Sequence, residues 1–223
     1  MKSKTVIGEI KKAYTYGEYR QLSQKLIADK SCTSDEVTPE RVRFTKLNEY
    51  WMKRLDKTFL IDPELKVMLK GNDRELSWLV IAESWCGDTG QNLPIIAKLA
   101  EKSPYINLQI ILRDEHPEIM DQYLTNGGRA IPKLICFDRV SGEELGTWGP
   151  RPTRISQMVQ DYKKVNIPFI KKDFLENLHQ WYTRDRGAAI QDDFKQLLRK
   201  WINKSTLEKE LNYSLTDIKL MVG

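Results

Sequence analysis

The sequence predicts an α/β protein, a mixed sheet with helices on both faces, extended at each end by further helical segments. Three observations carry that reading. Short apolar runs of strand length recur between residues 78 and 148, each followed by turn or helix signals. Helical spacing dominates the first seventy residues, with caps at the starts of the segments. It returns after residue 170, where Ile190, Phe194, Leu197, Leu198 and Trp201 follow i, i+4, i+7, i+8.

In the N-terminal part, Tyr19, Leu22, Leu26 and Ile27 recur at helical spacing. Thr38-Pro39-Glu40 supplies an N-cap, a first-turn proline and a first-turn acid, and Phe44, Leu47, Trp51 and Leu55 form one stripe behind it. Asp62-Pro63-Glu64 repeats the start signal, and Gly71 is expected to close that helix as a left-handed cap. The aromatic stripe reads as core.

From Trp78 the pattern changes. Trp78 to Ala82 is a continuous apolar run, as in a strand covered on both faces. Gly87 to Glu101 reads as a helix with Leu93, Ile96, Ala97 and Ala100 on one side. Ile106 to Leu112 is a second strand, and Glu118 to Leu124 a short helix stopped by Asn126-Gly127-Gly128. Lys133 to Phe137 and Leu145 to Trp148 are two more strands about a Ser141-Gly142 turn. Gly149-Pro150 then breaks the chain before a helix starting near Thr153. The expected division is a helical extension over 1–72 packed on the core, an α/β domain over 73–165, and a helical extension over 166–223 in which Gly187 separates a helix bearing Leu178 and Trp181 from the last one.

Composition narrows the function classes. There are 36 basic and 31 acidic residues, a formal charge of +5, and the two signs are interleaved, so no nucleic-acid footprint is expected. No apolar run reaches membrane-spanning length and the start lacks a signal-peptide core, so a cytoplasmic protein without membrane contact is expected. Three cysteines, Cys32, Cys86 and Cys136, are too few and scattered for a disulfide framework. His116 and His179 have no second ligand at zinc-site spacing, so neither a metal nor a cofactor is expected. His116 reads as belonging to a solvated loop or cap.

Trp85-Cys86-Gly87-Asp88 lies where the first strand hands over to a helix. A cysteine there meets unpaired N–H groups and the positive end of the helix dipole, both of which favour thiolate. Cys86 is therefore expected to titrate below the free value of about 8.5, with the Asp88 charge opposing some of that effect.

Trp85-Cys86-Gly87 with Pro94 in the following helix, and Arg129-Ala130-Ile131-Pro132 before the third strand, resemble the thioredoxin family. The resemblance covers roughly Trp78 to Lys164 and implies a thioredoxin-like sheet flanked by helices. It also implies that Pro132 is cis and faces the nucleophilic Cys86, and that Ile131 binds an extended substrate by its backbone, with Gly87 beside it. Gly149 fits the family's glycine ahead of the final helix. Relatives with a WCGD motif lack the second cysteine, and here its position is Thr89, which can donate a hydrogen bond but cannot form a disulfide. The family's buried acid in the preceding strand is replaced by Val80.

No other cysteine reads as a partner. Cys136 lies about 13 Å along the strand from Pro132 and reads as a small buried hydrophobe. Cys32, in a polar loop, reads as a bystander. With Cys86 as nucleophile and Trp85, Asp88 and Thr89 around it, the resemblance implies a monothiol thiol–disulfide oxidoreductase or thiol sensor. Cys86 would attack a protein disulfide or a glutathione mixed disulfide, its partners being protein thiols and disulfides or a glutathione-like small thiol, and an external thiol would resolve the mixed disulfide formed. The alternative is a redox-inactive binding module using the cis-proline edge and the helical flanks. A transferase resembling the glutathione transferases fits less well, because those enzymes do not usually carry Trp-Cys-Gly at this corner.

Overall fold

The N-terminal helices start where their caps place them. In the computed structural model, which describes residue 6, residues 8–164 and residues 171–202, α1 spans Tyr16–Ala28, α2 Pro39–Thr58 and α3 Pro63–Lys70. Thr15 and Glu18 close a reciprocal capping box on α1. The Thr38 hydroxyl accepts from the Arg41 N–H at 3.2 Å, and the Asp62 carboxylate accepts from the N–H groups of Glu64 and Leu65. Gly71 corrects the left-handed cap expected there: its φ is −78°, and its N–H simply closes on the Val67 carbonyl. The right-handed conformation satisfies that bond, so glycine's freedom is not used.

The sheet has four strands, β1 (Leu76–Ala82), β2 (Ile106–Leu112), β3 (Lys133–Asp138) and β4 (Glu144–Trp148), in the order β2-β1-β3-β4. β1 and β2 are parallel, and β3 runs antiparallel to both β1 and β4, so the sheet is mixed. Between β1 and β2 lies α4 (Gly87–Ala100), and between β2 and β3 lies α5 (Pro117–Met120). The sequence suggests a helix to Leu124. The chain instead tightens after α5, with the Tyr123 N–H bonding back to Met120 only three residues away. After the sheet come α6 (Thr153–Lys164), α7 (Lys171–Asp185) and α8 (Ala188–Trp201). The boundary expected at 165–166 falls outside the described residues, as does the tail from 203.

Strand alternation divides the core in two. Trp78, Val80, Ala82, Leu134 and Cys136 face one cluster, which Tyr19, Met52, Leu55, Leu65, Leu93, Ile96, Phe194, Leu198 and Trp201 complete from five helices. Leu79, Ile81, Ile135 and Phe137 face the other, covered by Ile119, Met120, Tyr123 and Val6. The N- and C-terminal helices therefore close the same core as the sheet. Phe194 of α8 is its hub, with its ring 5.2 Å from Trp78 and 5.7 Å from Trp148. A third cluster, Ile155, Val159, Phe174, Leu178 and Tyr182, joins α6 to α7.

Among the described residues two peptide bonds are cis, Ile131–Pro132 and Gly149–Pro150. They lie against each other. Gly149 has φ +113°, and a Cβ built on it would collide with the Pro132 carbonyl oxygen, so both the backbone angle and the close approach demand glycine. That contact holds the corner after β4, with Arg151 on it, beside the loop ahead of β3.

Candidate functional site around Cys86

Cys86 is the N-cap residue of α4, its φ and ψ extended at −80° and 117°. The thiol donates a hydrogen bond to the Ile131 carbonyl at 3.2 Å. Strand end, helix start and cis-proline loop thus meet at one sulfur. The sequence places Cys86, Ile131 and Pro132 in one site, and the fold brings these residues together.

The charge state differs from the helix-terminus argument. Burial pushes the Cys86 thiol up to about 11, and the Asp88 carboxylate two residues on adds to the rise. The Thr89 hydroxyl and the N–H groups of Thr89 and Asp88 offset only a fraction of this. Desolvation outweighs the dipole because the corner is roofed on both sides by helices. Thr89 is itself buried, and its hydroxyl closes no hydrogen bond of ordinary geometry.

Asp88 is engaged from within the protein. It is buried in the first turn of α4, where its carboxylate takes an ion pair from Arg151 at 2.6 Å and a hydrogen bond from the Tyr182 hydroxyl at 2.9 Å. Asn92 donates to the Tyr182 oxygen and to the Asp88 carbonyl. The motif acid therefore ties α4 to α7 and to the Gly149-Pro150-Arg151 corner. Breaking such a pair from one side leaves a charge with little water around it, which costs about 3–5 kcal/mol in buried cases.

Cys86 opens onto a cavity of about 390 Å³. Glu40, Arg41 and Phe44 of α2 form one wall, and Leu178 and His179 of α7 the other, with Trp85, Gly87, Asp88 and Arg151 between them. The His179 ring packs tilted against Trp51, ring centres 4.3 Å apart, and lies against Gly87. Neither ring nitrogen has a partner among the described residues, and burial holds its pKa below the usual histidine value. The guanidinium groups of Arg41 and Arg113 both sit over the Trp85 ring, each 4.9 Å from its centre.

Beneath the corner lies Glu83, fully buried at the end of β1. It accepts hydrogen bonds from the Asp114 N–H at 2.9 Å and from the Thr33 hydroxyl. Burial raises its carboxyl to about 7. Asn48 of α2 donates to the Ser84 carbonyl at 2.7 Å, so α2 and the 31–35 loop are both fastened to the residues leading into Cys86.

The remaining sequence candidates lie elsewhere. Cys136 is buried in the sheet opposite Trp78, and burial pushes its thiol well up. Cys32 is buried too, despite its polar neighbours. All three thiols are free. His116 stands at the N-cap of α5, one of the two places expected for it, but it is not solvated: it has no exposed surface, its Nδ1 lies 3.0 Å from the Leu112 carbonyl, and its Nε2 accepts from the Lys11 N–H. Among the described residues no three of His, Cys, Asp and Glu cluster as metal ligands would, and no helix is long and apolar enough to cross a membrane.

Arg41, Glu83, Arg151 and His179 belong to the site although no sequence motif points to them. Glu83 had a signal, an acid ending an otherwise apolar strand. Arg151 had a weaker one in its place two residues after Gly149. Arg41 and His179 stand on helices whose docking no local pattern specifies.

Fold and corner together define a thioredoxin-fold protein with one cysteine at the active-site position. The family model described as thioredoxin matches residues 38–163, more than half of the chain, and the chain belongs to that family. The match begins at the N-cap of α2, forty residues before the segment that carries the sequence motifs. Two solved structures share the fold. One is a protein of unknown function from Pseudomonas aeruginosa, 18% identical, with a TM-score of 0.51 over 83% of this chain and 98% of its own. The other is an HIV epitope-scaffold, 17% identical, with the same TM-score and coverage. No curated protein matches the chain.

Proposed function

We propose that this chain is a monothiol member of the thioredoxin family, which attacks a disulfide partner and holds one half of it as a mixed disulfide at Cys86. The observation that carries the reading is the placement of Cys86. It caps α4 beside the cis-proline loop and lines a cavity large enough for a small ligand. Thr89 stands where a resolving thiol would be needed, so release falls to an external thiol attacking the partner's sulfur.

The raised pKa sets the tempo. A thiol pushed up to about 11 is almost entirely protonated at neutral pH. Its greater intrinsic nucleophilicity recovers only some of the loss, so attack is slower than for an unperturbed thiol. The same basicity makes Cys86 a poor leaving group, so a mixed disulfide formed there persists. Slow capture and long retention suit a thiol sensor better than a fast oxidoreductase.

The second reading, a redox-inactive binding module, is favoured by one feature. The S–H is already committed to the Ile131 carbonyl, as it would be in a fold retained without its chemistry. Alkylation of Cys86 followed against pH, with Cys86→Ser as blank, tests the difference alongside incubation with glutathione disulfide. The monothiol reading expects alkylation that rises steeply above pH 9. It also expects a glutathione adduct mapped to Cys86 that excess thiol removes. Absence of any adduct after prolonged incubation would hand the site to the binding module.

A further inference from the structure

The walls of the cavity narrow the partner. We infer that the site takes a low-molecular-weight disulfide carrying a carboxylate, with Arg41 as the group that recognises it; the inference rests on the mixed-disulfide chemistry proposed for Cys86.

Two observations point to a small molecule. The cavity is bounded by α2 on one side and α7 on the other, and its volume of about 390 Å³ is that of a small-ligand pocket. The backbone position that would pair with an extended polypeptide is closed, because Ile131 is 5% exposed and its carbonyl accepts the Cys86 thiol proton. A protein disulfide would have to displace that bond and push apart α2 and α7, which are fastened to the corner through Asn48 and Tyr182. A small disulfide enters the space already present.

The carboxylate follows from the charges. Asp88 is consumed by Arg151 and Tyr182 and offers the ligand nothing. Glu40 also lines the wall, in the first turn of α2, a position that the helix dipole favours for an acid. Arg41 differs. Its hydrogen bonds to Ser34 and to the carbonyl and exposed carboxylate of Glu36, the last an ion pair at 3.0 Å, all run from Nη1, leaving Nε and Nη2 without an acceptor among the described residues. The group is a quarter exposed and anchored over Trp85, the residue before the cysteine. A planar guanidinium with a free edge is the standard partner of a carboxylate.

In the reaction the Cys86 thiol loses its proton to solvent and the sulfur attacks one sulfur of the disulfide R–S–S–R. The S–S bond breaks, Cys86–S–S–R forms, and the departing R–S⁻ takes a proton from solvent. Cys86 is oxidised and the departing half is reduced, so electrons balance. A second small thiol reverses the sequence.

The test uses the full chain and three disulfides of similar size: dithiodipropionate as dianion, hydroxyethyl disulfide as neutral, and cystamine as dication. The rate of adduct formation is read by intact mass and mapped to Cys86 at low ionic strength. Each rate is divided by that of the same disulfide with a free small thiol, because the three leaving thiols differ in pKa. So normalised, the dianion is expected to react at least about tenfold faster than the dication, and Arg41→Gln to bring that ratio towards one. The ratio on the unaltered chain stands even if the variant folds poorly. Equal rates, or a preference for cystamine, would overturn the carboxylate assignment while leaving mixed-disulfide formation intact. A disulfide-bonded peptide that outpaces all three would overturn the small-molecule assignment. No adduct from any of them would remove the underlying reading instead.

Discussion

Glu83 shows how one buried carboxyl sets a pH dependence. Its pKa rises from 4.5 to about 7 because burial at the end of β1 penalises the charge more than Thr33 and Asp114 stabilise it. With the folded-state pKa raised, the native state holds the proton more tightly than the unfolded chain. The stabilisation is complete below pH 4.5 and is lost as pH rises through about 7. The full swing is about 3 kcal/mol. Glu83→Gln keeps an oxygen for the Asp114 N–H and turns an NH₂ towards the Thr33 oxygen. The variant is expected to lose this contribution, with a Tm near that of the parent at pH 5 and above it at pH 8. A Tm difference independent of pH would refute the assignment. At this scale Cys86 and Asp88 were legible in the sequence, since a strand-to-helix corner is a local pattern. The sign of the thiol's shift was not. Desolvation of Cys86 comes from α2 and from α7, some ninety residues further on, whose docking leaves no trace near the motif.

Elements were more legible than residues because their signals are short-range. Thr38, Asp62 and the prolines after them mark helix starts through bonds within four residues, and all hold in the fold. The strands announced themselves as apolar runs, since a central strand buried on both faces tolerates little else. Gly71 and the shortened α5 went astray where a glycine can adopt either hand and where a tight turn competes with one more helical turn. α8 combines both kinds of information: its stripe was plain, but its target was not. That target is the tryptophan pair of β1 and β4, with Trp148 further held by its indole N–H on Asp193 at 2.8 Å. Phe194 is fully buried between them, so Phe194→Ala would leave a cavity in contact with three tryptophans. A loss of about 3–5 kcal/mol is expected in urea unfolding, with the midpoint shifting at constant slope. A shift under about 1 kcal/mol would mean that α8 is docked more loosely than its packing indicates.

At the scale of the whole molecule, the segment matched by the family model and the segment that folds are different things. Residues 38–163 contain the sheet and the reactive corner, but the core on one face of that sheet is completed from outside them. Tyr19 of α1 and Ile190, Phe194, Leu198 and Trp201 of α8 are all buried in the cluster that contains Trp78 and Val80. The Trp201 indole also donates to the Leu145 carbonyl of β4, and Arg74 ahead of β1 donates to the Trp201 carbonyl. Cutting the chain to 38–163 would expose an apolar face that α8 now covers, and would remove Tyr182 from Asp88 and His179 from the cavity beside Cys86. Such exposed faces lead to association. The chain cut to 38–163 is therefore expected to aggregate or to bind a hydrophobic dye without a cooperative thermal transition, while the full chain melts as one unit. A soluble, cooperatively melting 38–163 fragment with Cys86 alkylating at the parent rate would show that the end helices are appendages. The shared core makes them parts of the same molecule, and the cavity over Cys86 has its second wall only because α7 stands opposite α2.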